Sequence, residues 1–223
     1  MLDKIETLMQ GVQHITDTVA HDLRTPLARL RNKLETAELK NQTERNTKSE
    51  LINEVDALLK TFNALLSLSS IESGRQGLKF ESFDFEKVLH DAVDLYLPLA
   101  EEKNQQILVD TLSYSQLGNR DLIFQVVANL LDNAIKFTPE NGNIEVKMWT
   151  KENVLALSIS DNGPGISIES RKKVFARFYR DQDHRHHEGV GLGLSLVQAV
   201  LKLHNCKIKL QDNQPGLKVT IFL

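Results

Sequence analysis

The chain has 223 residues, of which 41% are hydrophobic and 26% charged, proportions that suit one large globular domain or two modest ones. With 27 basic and 30 acidic residues its net charge is −3, which gives no electrostatic case for a nucleic-acid partner or an acidic membrane surface. The single cysteine, Cys206, excludes an internal disulfide and a multi-cysteine metal site.

No apolar run approaches the ~20 residues needed to span a bilayer. The opening MLDKIETLMQ is amphipathic and mixed in charge, so it does not read as a signal peptide. Its apolar repeat is already running at Leu2 and Ile5 with no capping residue ahead, so the chain reads as a piece of something longer. A first series runs Ile5, Leu8, Val12, Ile15, Val19, Leu23, Leu27, Leu30, Leu34 and Ala37 in steps of three and four, the seam of a long helix. A polar break follows from Lys40 to Lys48, then a second series, Ile52, Val55, Leu59, Phe62, Leu66 and Ser69, which stops at Ser73-Gly74. This pattern predicts an antiparallel helical hairpin over 1–74. Two helices cannot cover both seams, so a homodimer forming a four-helix bundle is expected.

Beyond Gly74 the pattern changes. Strands are expected at 78–83, 106–111, 143–149, 154–160, 207–211 and 217–222. Helices are expected at 85–101, 120–137, 168–175 and 192–203. The polar stretch from Arg177 to Gly189 reads as a long loop, which in a compact domain is usually functional or disordered. The fold class is therefore α+β: the hairpin, then a two-layer α/β sandwich with a mixed sheet over 79–223, joined by a hinge near 74–78.

His21 lies outside the apolar series, two positions from Val19 and from Leu23, so it faces about 200° away from the seam. Thr25 lies one turn on along the same face, and Asp22 is adjacent. Pro26 removes the N–H that would bond the Asp22 carbonyl, so the helix should bend there. An isolated surface histidine needs no explanation. In HDLRTPL, however, a mid-helix proline that costs about 3 kcal/mol suggests a purpose. A phosphoacceptor imidazole needs access, a nearby carboxylate and a backbone that permits docking. The string supplies all three.

Four further strings follow in order. NLLDNAIKF puts Asn129, Asn133 and Lys136 on one helical face, where carboxamide oxygens suit Mg²⁺ and an ammonium suits phosphate; asparagines on a helix are otherwise simply solvated. DNGPGI, from Asp161 to Ile166, permits a tight turn with Asp161 able to accept from an amino group, or is an ordinary strand-ending turn. FARFYR carries Phe175, Phe178 and Arg180, which read equally as core aromatics and a solvated cation. GVGLGL places Gly189, Gly191 and Gly193 at a helix start, where backbone N–H groups favour phosphate. Its spacing is neither the Rossmann nor the Walker one. His184, His186 and His187 crowd the loop, and a solvated loop is a better reading of them than a metal site.

HDLRTPL resembles the phosphorylation motif of the dimerisation and phosphotransfer domain of sensor histidine kinases. The four later strings resemble the ATP-binding domain shared by histidine kinases, gyrase-type and mismatch-repair ATPases and a heat-shock chaperone. The resemblance implies that His21 is phosphorylated on a ring nitrogen, with Asp22 as general base and Thr25 orienting water when a partner is dephosphorylated. It implies Mg²⁺ on Asn133 with Asn129 close by, and phosphate contacts from Lys136 and Arg180. Asp161 would read the adenine amino group of ATP, Gly163 and Gly165 would shape its pocket, and 177–189, ending in the glycine box, would be the lid. Asn129 stands where hydrolytic relatives carry a glutamate, and an asparagine is a poor base for activating water. HNC at 204–206 stands where relatives often have His-Gly-Gly. The implied activity is ATP-dependent autophosphorylation of a histidine kinase, then transfer to an aspartate of a response-regulator receiver domain. The chain would be the cytoplasmic portion of a protein anchored in the bacterial inner membrane through segments it lacks. A nucleotide-binding scaffold without catalysis, and an ATPase of the same superfamily that leaves histidine unmodified, are the alternatives.

Overall fold

A computed structural model describes Leu27, Leu30, Arg31, Leu34, 42–72, 79–151, 154–180 and 190–223. The chain divides into two compact units, Met1–Arg75 and Gln76–Leu223.

In the N-terminal unit Leu27, Leu30, Arg31 and Leu34 are helical, and helix α1 spans Gln42–Glu72. The polar stretch expected as a break from Lys40 to Lys48 is already helical from Gln42. Polar straight-chain residues such as Gln42, Glu44 and Arg45 are good helix formers, so a polar run there is compatible with helix as well as with a turn. Arg31 Nε donates to Asp56 Oδ1 at 2.6 Å across 25 positions, which requires the chain to double back between them. Val55 and Ser69 of the second series are buried, and so is Leu68, which lies outside it.

The C-terminal unit opens with β1 (Glu81–Asp84) and α2 (Phe85–Glu101). The Asp84 carboxylate caps α2 by accepting from the Lys87 N–H. β2 (Gln106–Asp110) and β3 (Ser115–Gly118) follow, then α3 (Arg120–Phe137), capped by Asn119 Oδ1 accepting from the Leu122 N–H. β4 (Asn143–Lys151), β5 (Val154–Asp161), α4 (Gly193–Leu203), β6 (Lys207–Asp212) and β7 (Leu217–Phe222) complete it.

β2, β4, β5, β7 and β6 form one sheet in that order, with β2 parallel to β4 and the other pairs antiparallel. β1 and β3 make a separate antiparallel pair. α2 packs on α3 and α3 on α4, and the three touch β2, β5 and β6 respectively, giving one helical layer on one sheet. Ile144, Val146, Leu155, Leu157, Ile159, Val219 and Ile221 are buried from the sheet, and Val88, Leu89, Ile123, Val127, Leu131, Leu196 and Leu201 from the helices. The central strand β5 is buried on both faces, hence the near-continuous run VLALSIS rather than an alternation.

Three expectations need correction. The helix expected over 168–175 is one 3-10 turn, Ser170–Lys172, flanked by turns. Ile168 is 79% exposed, so the apolar residues there do not form a buried stripe. The strand expected from Leu78 begins at Glu81. β3 was not anticipated, because SQLG carries no β-branched residue and no clear alternation.

Candidate nucleotide site

Asn129 and Asn133 lie one turn apart on α3, both half-buried. Asn129 Nδ2 donates to the Gln125 carbonyl at 2.7 Å, which leaves its Oδ1 as the free end of the amide. That oxygen faces Gly193, the first residue of α4. A Cβ on Gly193 would lie 3.0 Å from Asn129 Oδ1 and 3.9 Å from Asn133 Nδ2. The glycine therefore lets the start of α4 close on the amide pair. The N-cap residue of α4 is Leu192, whose side chain makes no capping bond, and a helix start carries N–H groups without intrahelical partners. Lys136, nearly a full turn beyond Asn133, carries its ammonium 5.2 Å from the Phe137 ring centroid.

A second cluster forms where β5 ends. Asp161 is buried, and its Oδ1 accepts from the N–H of Gly163 at 2.9 Å and of Leu217 at 3.2 Å. Burial raises the Asp161 carboxyl above the usual aspartate range, partly offset by these two bonds. A Cβ on Gly163 would lie 2.5 Å from the Phe137 carbonyl oxygen, so the turn presses against the end of α3. Gly165, at φ +73, passes Gly216 as closely, with a Cβ position 2.8 Å from the Gly216 oxygen. Gly216, at φ +116, has room for no side chain, since its Cβ would overlap the Asp161 carbonyl. Asn213 Nδ2 donates to that same carbonyl at 2.8 Å.

Asn213, Gly216 and Leu217 were missed from sequence. The signal was the turn NQPG between two strands, but nothing local ties a hairpin tip to a carboxylate more than fifty positions earlier. The third cluster brackets 181–189. Phe178, at φ +61, donates its N–H to the Gly191 oxygen at 3.0 Å, and a Cβ on Gly191 would lie 2.6 Å from the Tyr179 oxygen. Arg180 is exposed at the edge of this bracket.

Of the residues singled out from sequence, Asn129, Asn133 and Gly193 come together, as do Asp161, Gly163 and Gly165, with Phe137 linking the second group to the helix of the first. His21, Asp22, Thr25, Gly189 and the histidines at 184, 186 and 187 lie outside the described residues. Among the described residues there is no cluster of histidine, cysteine and carboxylate able to hold a metal. No described helix is long and apolar enough to cross a membrane.

Residues 118–223 match the family of histidine kinase-, DNA gyrase B- and HSP90-like ATPases, and residues 12–74 match the His kinase A phospho-acceptor domain. The chain belongs to the sensor histidine kinases. This histidine-kinase chain is 28% identical over 228 residues to the heme sensor protein HssS of Staphylococcus aureus, covering all of the chain and 49% of HssS. It thus spans about half the length of that relative. The mycobacterial sensor histidine kinase MprB superposes with a TM-score of 0.58 at 26% identity, over 65% of this chain and 97% of that one. Full-length ShkA, solved with AMPPNP, shares the fold at a TM-score of 0.78 and 24% identity, over 94% of this chain and 45% of that one.

Proposed function

We propose that the chain binds ATP in its C-terminal unit, transfers the γ-phosphoryl to His21 in its N-terminal unit, and passes it to an aspartate of a response-regulator receiver domain. The observation that carries this reading is the closure of Gly193 on the Asn129–Asn133 pair of the same helix whose end, at Phe137, packs against the turn of the buried Asp161. Those two clusters give a purine end and a phosphate end to one site on α3. Asp161 keeps Oδ1 on two backbone donors, which fixes its plane and leaves Oδ2 to accept from an adenine amino group. The start of α4 offers N–H groups to phosphate oxygens, and Lys136 and Arg180 add charge.

The donor set fits Mg²⁺. With Asn129 Nδ2 on a backbone carbonyl, the hard oxygen faces the glycine opening, and Asn129 and Asn133 would hold the ion. When bound it supplies charge neutralisation on the phosphates. The rest is positioning: the His21 imidazole, with Asp22 to take its proton, attacks the γ-phosphorus in line while the bond to the β,γ-bridging oxygen breaks and ADP leaves. Residues 1–74 are the phosphotransfer hairpin and 79–223 the ATP-binding domain. Thr25 would orient water in a phosphatase reaction on the same partner. Leu30, Leu51 and Leu58 are exposed at 46%, 41% and 47% in the helical unit, and Leu51 and Leu58 are one heptad apart, which supports a homodimer. The sensor-kinase resemblance implies that this portion lies in the cytoplasm, joined to the inner membrane through segments outside the chain.

Incubation with γ-labelled ATP and Mg²⁺ tests the reading. Label that is acid-labile and base-stable, and absent from His21→Ala, is expected. Label that survives that substitution excludes His21 as the acceptor, and release of inorganic phosphate without label indicates an ATPase.

A further inference from the structure

The chain enters the C-terminal unit at Lys79 and Phe80, and both are tied to the far end of the fold. The Phe80 ring stacks on the His204 imidazole with centroids 4.9 Å apart and an interplanar angle of 30°. His204 follows the last turn of α4, and its Nδ1 lies 2.8 Å from the Val200 carbonyl oxygen. Its Nε2 lies 3.0 Å from the Asn119 backbone nitrogen. The Asn119 N–H can only donate and the Val200 oxygen can only accept, so one tautomer satisfies both: neutral imidazole with its proton on Nδ1. Asn119 is also the cap of α3, and its Nδ2 donates to the Lys79 carbonyl at 3.2 Å. Gly118 has no Cβ because one would lie 2.7 Å from His204 Cδ2. One ring thus joins the entry segment, the start of α3 and the end of α4.

We propose that His204 is a proton-sensitive positioning residue, a latch that holds Lys79–Phe80 against the two helices of the nucleotide site while neutral and releases them when protonated. A proton on Nε2 places two donors face to face, and the Asn119 N–H loses its acceptor. Among the described residues, no carboxylate pairs with the ring to favour the cation. The ionisable side chains on the surrounding elements are Lys79 and Glu81 at the entry, Arg120 and Asp121 at the start of α3, Lys202 in the last turn of α4, and Cys206. Lys79, Glu81, Asp121 and Lys202 are exposed, and Arg120 is engaged by Asp91 at 2.6 Å and Asp121 at 3.5 Å. Cys206 Sγ lies on the His204 carbonyl at 3.3 Å, not on the ring. Burial pushes the His204 pKa down, which agrees with the bonding pattern. The stabilisation is therefore complete above the ordinary histidine value of about 6.5 and is lost as pH falls below it.

Because Asn119 and His204 bear on α3 and α4, which carry Asn129, Asn133 and Gly193, the latch couples the segment joining the units to the nucleotide site. That coupling rests on the function proposed above, whereas the latch itself does not. The test uses the whole chain without nucleotide, so its failure leaves the kinase reading standing. Hydrogen exchange of segments 79–84 and 118–122, corrected for intrinsic rates, is followed between about pH 7.5 and about pH 5.5. Protection is expected to fall as pH drops below about 6.5, by up to about tenfold per pH unit, and to level off once the pH is below the folded pKa. In His204→Gln, whose amide oxygen accepts from Asn119 without titrating, protection is expected to be flat across the same range. A flat wild-type profile, or an undiminished fall in His204→Gln, overturns the proposal. If that variant does not fold, the ¹⁵N titration of His204 Nε2 in the wild type decides. Its midpoint must coincide with the loss of Asn119 protection, and a separate midpoint overturns the proposal.

Discussion

Asp161 carries two opposed demands. In the proposed site its carboxylate accepts from a purine amino group, yet burial disfavours the charge, and two backbone N–H groups offset that only in part. Because its folded pKa is raised, the neutral acid is the form the fold prefers. Its contribution is therefore favourable below the ordinary value of 3.8 and is lost as pH rises through the folded value. Asp161→Asn should keep the bonds to Gly163 and Leu217, melt higher than wild type at pH 7, and lose that advantage as pH falls below about 4. The same variant should lose nucleotide binding by tenfold or more, about 1.4 kcal/mol, in titrations with a fluorescent ATP analogue. Gly163→Ala tests the neighbouring turn. Its methyl would meet the Phe137 carbonyl, which is backbone and cannot swing aside, so nucleotide affinity should fall with the turn displaced. Unchanged affinity in either variant would remove this turn from the site.

At the scale of elements, the end of α3 is held by a side chain from another segment. Gln105 Nε2 donates to the carbonyls of Ile135, Thr138 and Pro139, at 3.0, 2.7 and 3.3 Å, and Lys103 Nζ reaches the same Ile135 oxygen at 3.0 Å. These serve the carbonyls that a helix C-terminus leaves without partners. Gln105→Ala should cost about 2 kcal/mol in chemical denaturation, the cost of stranding buried acceptors. It should also loosen the Phe137 carbonyl against which Gly163 packs. The helix periodicities made α2, α3 and α4 readable to within a residue or two, because their buried faces repeat at 3.6 residues. The turn around Ser170 was misread since its apolar residues lack a partner face, and β3 since its pairing with β1 is decided across more than thirty positions. The site shows the same division. Asn129, Asn133, Asp161 and the glycines stood out as local strings. Leu217 did not, because a backbone N–H carries no sequence signal, and neither did the Phe80–Asn119–His204 cluster, which gathers three distant segments.

At the scale of the molecule, the proposed function divides the chemistry between a helical acceptor unit and a nucleotide-binding sandwich. The helical unit leaves Leu51 and Leu58 exposed on one stripe of α1, a surface that a second copy would cover. Light scattering should give twice the chain mass, and Leu51→Glu with Leu58→Glu should give a monomer that still binds nucleotide. A dimer unaffected by both changes would place the interface elsewhere. The account as a whole depends on a phosphoryl group leaving one unit and arriving on the other. The most direct measurement is peptide mass spectrometry, under alkaline conditions, of the chain after reaction with ATP and Mg²⁺. Phosphate on the peptide containing His21, and its disappearance in Asn133→Ala with that peptide otherwise intact, is the predicted result. A modified His21 peptide in Asn133→Ala, or phosphate on a different residue in the wild type, would contradict it.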